Sequence, residues 1–231
     1  MGASLRVVAA RLVVARLVVA ATVGGLLLGA PTFGYAATIR EQSWHLDYLK
    51  IDQAHAITQG EGITVAVVDS GVDATHPDLQ GQVLPGVGIG PGTAPDGRQD
   101  SDGHGTAMAG IIAGKGGGGN HVLGIAPKAK ILPVAIGKKP GADKVAQGIR
   151  WAVDNGADVI NISMGSPLLI VAPVEKEAVT YALSKNVPIV AAAGNVDAGD
   201  LTVLVPAAIP GVVAVSGIAK VGLAWSGSVQ G

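Results

Sequence analysis

Cysteine is absent from the 231 residues. No disulfide can brace the fold, so stability must come from a packed core or from bound ions. Aromatic residues make up only 3%, with a single Phe. The core must therefore be built from aliphatic and small side chains. Charge is also sparse: 14% of residues are charged and the formal net charge is −1. Nothing in that balance points to nucleic acid or an anionic surface as the main partner. No long apolar run follows the first 36 residues, which excludes a later membrane span within this sequence. The G-x-G-x-x-G pattern expected after the first strand of a nucleotide-binding enzyme is missing as well, and that class is set aside.

What is abundant is glycine, with 35 residues, and apolar character, at 48%. The length suits one domain with a sizeable core. Part of the apolar excess lies at the start, MGASLRVVAARLVVARLVVAATVGGLLLGAPTFGYAA. Arg6, Arg11 and Arg16 form a positive region, Leu17 to Ala30 is uncharged, and Gly34 and Ala36 suit a cut after Ala36. This is the pattern of a secretory signal peptide over residues 1–36, and it predicts a secreted, extracellular protein. If left uncleaved, the same segment would associate with a membrane. It carries three Arg and no acid, which leaves 13 basic and 17 acidic residues beyond it.

Residues 37–61 read as a mixed arm with one or two short helices. Residues 62–231 read as a single domain. Ile63–Val68 is a short run apolar on both faces, as in a buried parallel strand, and Asp69 closes it. Further strands are predicted at 130–136, 158–163, 188–193 and 211–217. Helices are predicted from His104, over 143–155 with Asp143 as N-cap and Gly156 as stop, and over 174–186. This alternation predicts an α/β fold, a mostly parallel sheet with helices on both faces. In such sheets, ligand sites lie outside the carboxyl ends of the strands.

Three polar residues fall at such ends: Asp69, His104 and Asn195. Each alone is weak, since Asp and Asn commonly form turns and a His in a glycine-rich loop is commonly structural. A carboxylate after a buried strand nevertheless needs a partner. His104 opens a helix of small residues, HGTAMAG, that can pack deep and hold the ring rigidly. An Asp–His pair is what a hydrolase uses to hold an imidazole in one tautomer. An Asn after a buried strand can donate to an oxyanion. Asp100, Asp102 and His104 alternate in a loop, a spacing that does not define a metal geometry.

VAVVDSGVDATHPDL (65–79), DGHGTAMAG (102–110) and VAAAGN (190–195) resemble, in order and spacing, the successive motifs of the subtilisin-like serine proteases. NISMGS (161–166) resembles the segment lining that family's substrate cleft. The signal-like start, REQSWHL and HGTAMAG further resemble the mycosins, the secretion-associated subgroup. Ala107 stands where the family usually carries a second histidine, which is not the base. The resemblance implies a three-layer fold and a secreted endopeptidase acting on polypeptides. It implies Asp69 as the residue orienting His104, His104 as general base, and Asn195 as oxyanion donor. It implies Ser163, Met164 and Gly165 as the backbone that pairs with substrate. Ala192, Ala193 and Gly194 would form a pocket wall with room for a sizeable apolar side chain. No cofactor is required, but Asp78 with loop oxygens near Asn120 resembles the family's structural calcium site. His121 is read as structural or exposed.

The family's nucleophile sits in a G-T-S-M-A type segment beyond the oxyanion asparagine, and no such segment follows Asn195 here. Ser216, Ser226 and Ser228 lack the motif, and Ser216 falls in a strand predicted to be buried. The expectation is a C-terminally incomplete peptidase domain, with one side of the core uncovered. The alternative is an inactive subtilase-fold protein that binds peptides in the cleft.

Overall fold

The computed structural model describes residues 37–167 and 170–229. The predicted signal peptide lies outside the described residues. Among the latter, no helix is long and apolar enough to cross a membrane.

The arm forms three short helices: α1 (Ile39–Gln42), α2 (Trp44–Tyr48) and α3 (Ile51–His55). Thr38 and Glu41 build a reciprocal capping box at the start of α1. The Arg40 amide donates to the Gly119 carbonyl at 3.1 Å, and His55 Nε2 lies 3.0 Å from the Ile125 carbonyl. The arm is thereby tied to the loop over residues 114–129.

The domain runs β1 (Thr64–Asp69), a 3-10 turn at Pro77–Leu79, β2 (Val87–Gly88), α4 (His104–Ala113), β3 (Lys130–Ala135) and α5 (Ala142–Asp154). It continues with β4 (Val159–Ile162), α6 (Pro173–Ser184), β5 (Ile189–Ala192) and β6 (Val213–Val215). The sheet order is β2-β3-β1-β4-β5-β6, with every named pair parallel.

Alternate β1 side chains enter two cores. Ala66 and Val68 join a large cluster with Ile149 and Ala152 of α5 and Ala178, Val179 and Ala182 of α6. Val67, with Val65 against it, faces Ala109 and Ala113 of α4 and Ile131 of β3. Helices therefore cover both faces, as a doubly apolar strand demands. From β1 the chain crosses to β3 on one side, then returns past β1 to β4 on the other. The winding direction reverses at β1, so a crevice opens at its carboxyl end, where Asp69 sits.

Two expectations change. Gly141, not Asp143, is the N-cap of α5, and no side chain caps it. Asp143 lies inside the first turn, where a carboxylate favours the helix dipole instead. Gly156, at φ +80°, does end the helix. The strand expected over 211–217 shrinks to β6, whose three residues are exposed rather than buried, and Ser216 lies just beyond it and is exposed as well. β6 is an edge strand, and among the described residues no layer covers it: Val213 is 52% and Leu223 69% exposed.

Candidate active site

Asp69 is fully buried at the end of β1. Its carboxylate accepts from the Ser70 amide at 2.7 Å and faces His104 Nδ1 at 2.8 and 3.0 Å through its two oxygens. An ionised carboxylate only accepts, so in the neutral ring Nδ1 carries the proton and Nε2 keeps its lone pair. The other end of the ring is open to solvent, since the His104 side chain is 44% exposed. A base oriented from behind and reachable from the front is the arrangement that general-base chemistry needs.

The helix start that carries His104 is locked to the strand end. Gly103, at φ +91°, precedes His104 as N-cap, and the Gly105 amide donates to Ser70 Oγ at 3.0 Å. Ser70 Oγ in turn donates to Asp100 at 2.9 Å. Asp100 also accepts from the Thr106 amide and hydroxyl at 2.9 and 2.7 Å. Burial pushes the Asp100 carboxyl up, but these donors outweigh it and hold the group below the usual carboxylate range. Asp102 pairs with Lys138 at 2.7 Å. Asp100, Asp102 and His104 thus turn to three different partners and form no ligand cluster.

His104 opens into a cavity of about 220 Å³ lined by Asp69, Lys138, Ser163 and Met164. The structure therefore brings together Asp69, His104 and two of the residues expected to hold substrate. Gly165 lines the adjoining cavity. Asn195, Ala192, Ala193 and Gly194 lie at the end of β5, outside both cavities. Asn195 Oδ1 accepts from the Asp197 amide at 3.0 Å, which leaves Nδ2 as the donor end of an exposed side chain. The room expected beside Gly194 is filled. A methyl on Gly194 would lie 3.0 Å from Leu204 Cγ, and one on Gly165 2.6 Å from Leu204 Cβ, so Leu204 occupies the space between them.

The calcium expectation also fails a test of fit. Asp78 is buried, and its two oxygens accept from His121 Nδ1 at 2.5 Å and from the Val122 amide at 3.0 Å. Calcium takes six to eight oxygen ligands. Here each carboxylate oxygen already accepts from an N–H donor, which competes with a cation for its lone pairs, and the Asn120 side chain is exposed. His121, read as structural or exposed, is the partner of Asp78. The loop fold that joins them, 43 residues apart, leaves no local signal.

A further residue escaped the sequence reading. Glu175, in the first turn of α6, is only 2% exposed, and its Oε2 has no hydrogen-bond partner. Burial pushes its carboxyl up. A signal existed: Glu175, Ala178, Val179 and Ala182 fall at i, i+3, i+4 and i+7, so the acid lies on the apolar stripe.

The profile of the subtilase family matches residues 60–231. Fervidolysin of Fervidobacterium pennivorans is 39% identical over 199 residues, covering 80% of this chain and 28% of that protein. Thermitase of Thermoactinomyces vulgaris is 39% identical over 150 residues, covering 64% and 52%. The chain thus spans about half the length of thermitase and less of fervidolysin. Among solved structures, MycP1 with its N-terminal propeptide removed has a TM-score of 0.68 at 28% identity, covering 81% of this chain and 67% of its own. The MycP3 protease of the type VII (ESX-3) secretion system has 0.68 at 30%, covering 85% and 62%. A family match of that length, joined to structural likeness over the same region, carries one conclusion: the chain belongs to the subtilase family.

Proposed function

We propose that this chain is the Asp- and His-bearing part of a secreted serine endopeptidase. It would cleave polypeptides through an Asp–His–Ser triad whose serine lies in a segment outside this sequence. The observation that carries the reading is the 2.8 Å contact between a fully buried Asp69 and a half-exposed His104 at the carboxyl edge of β1. Asp69 holds the ring and stabilises its charged form. His104 Nε2 takes the proton from the nucleophile and later delivers it to the leaving amine. Asn195 donates from Nδ2 to the tetrahedral oxyanion, a role whose loss in subtilisin costs about 10²–10³ in kcat. Ser163–Gly165 pairs with the substrate as an added strand. Of the three serines after Asn195, Ser216 donates to the Val229 carbonyl and Ser228 accepts from the Gly217 amide, both within the segment after β6, while Ser226 is exposed in a turn of that segment; this supports an external serine. Secretion rests on the pattern of residues 1–36, and the likeness to MycP1 and MycP3 supports a place near the mycosins.

Labelling with a fluorophosphonate tests this. The product extended through the downstream coding sequence is expected to label, and His104→Ala to abolish labelling. A stop codon directly after residue 231, or stoichiometric labelling of the 231-residue chain itself, overturns the placement of the serine.

A further inference from the structure

Beside the His104 cavity lies a second one of about 430 Å³. Lys138 and Met164 line both, so the two adjoin. The backbone proposed to pair with substrate starts in the first cavity, at Ser163, and reaches the second at Gly165 and Ser166. An extended peptide sends alternate side chains to one face, so a chain laid along this edge presents a second side chain to the second cavity.

The walls of that cavity are mostly apolar: Pro140, Val145, Met164, Val205 and Pro206. Set among them is Glu175, 2% exposed, with Oε2 unpartnered. Position in a first turn explains an acid there, because the helix dipole favours it. It does not explain burying that acid without a donor, which is costly for a carboxyl group. The nearby cations do not supply the partner. Lys138 is engaged by Asp102 at 2.7 Å, and Lys139, also lining the cavity, is exposed. Neither has an ion pair with Glu175 among the described residues.

The geometry points to Glu175 as a specificity-determining residue that selects a basic side chain, arginine or lysine, at a substrate position away from the scissile bond. The aliphatic stem of such a side chain lies on the apolar walls while its charged head reaches the carboxylate. Arginine suits it best, because its planar fork of donors can satisfy both carboxylate oxygens. This inference rests on the peptide-cleft reading above.

Binding can be read on the chain as it stands, without a nucleophile. Fluorescein-labelled hexapeptides, identical except for Arg, Leu or Glu scanned through each position, are titrated by fluorescence polarisation. At one position the Arg peptide is expected to bind about tenfold or more tighter than the Leu peptide, the range of a charge-assisted hydrogen bond. Glu175→Gln and Glu175→Leu are expected to erase the preference for Arg over Leu. Two variants guard against a folding defect in one, with circular dichroism as the check. If peptides bind but Leu equals or exceeds Arg at every position, the inference falls and the cleft reading stands. If the preference survives both variants, Glu175 is not its source. If no peptide binds, the cleft reading falls and takes this inference with it.

Discussion

Adding one methyl group at two points of α4 should have opposite effects. Gly105 and Gly110 both lie in this helix and both are buried. A Cβ on Gly105 would sit 2.1 Å from the Gly71 carbonyl oxygen and 3.1 Å from Asp69 Cβ. Contacts that short force the helix start away from the strand end by about 1 Å, since non-bonded atoms settle near 3.5–4.0 Å. Overpacking of this kind costs about 1–3 kcal/mol. A Cβ on Gly110 would lie 3.9 Å from Val122 Cγ1, an ordinary contact. There the gain in helix propensity remains, about 0.5–1 kcal/mol. Urea denaturation followed by circular dichroism should separate the two variants by about 1.5–4 kcal/mol, with Gly110→Ala the more stable. The same displacement moves His104 off Asp69, and in a form with a complete triad a 1 Å error costs about 10²-fold in kcat/KM. If Gly105→Ala is as stable as the parent, or more so, the close seating of His104 against Asp69 is wrong.

The Asp78–His121 pair should be felt as acid sensitivity. Burial pushes the Asp78 carboxyl up, but the Val122 amide and His121 outweigh it and hold it below its ordinary value. A lowered folded value stabilises above the unfolded pKa of about 3.9 and is lost as pH falls through the folded value. Asp78→Asn should therefore cost about 1–3 kcal/mol at pH 7, and the difference should shrink below about pH 4. A gap that stays constant into strong acid refutes this, and a rise of several degrees in Tm on adding calcium refutes the misfit of that ion. Glu61 is held down to about 2 by Lys128 at 2.8 Å and by the Gln59 amide. In an NMR titration Lys128→Met should return it towards the usual carboxylate range, and an unmoved midpoint would contradict that cause.

Patterns with short reach were legible in the chain. β1, β3, β4 and β5 are short, mostly apolar runs, and α5 and α6 carry apolar residues at helical spacing, so each was expected within a few residues of its observed bounds. The pairing of Asp69 with His104 was legible too, through the resemblance of the flanking motifs. Other features were not. The reading of β6 as buried failed because apolar sequence reports a preference for burial, and only a covering layer can satisfy it. Asp143 looked like a cap because the residue type is right, yet the cap is a matter of backbone angle, and Gly141 takes the extended one.

The amino-acid sequence by itself determined an α/β chain of the subtilase family with an acid and a base at the carboxyl edge of its sheet. The fold class follows from local periodicity and the places of the two residues from residue types at strand and helix ends, while the family is carried by the resemblance of the motifs around them; all of these depend on neighbours a few positions away. Tertiary structure alone decided that His121 donates to Asp78, that Leu204 fills the space between Gly165 and Gly194, and that Glu175 is buried without a partner while Glu177, two residues on, is exposed. Each of these depends on which distant segments pack together, and hydrogen bonding and desolvation are set by that packing and not by sequence spacing.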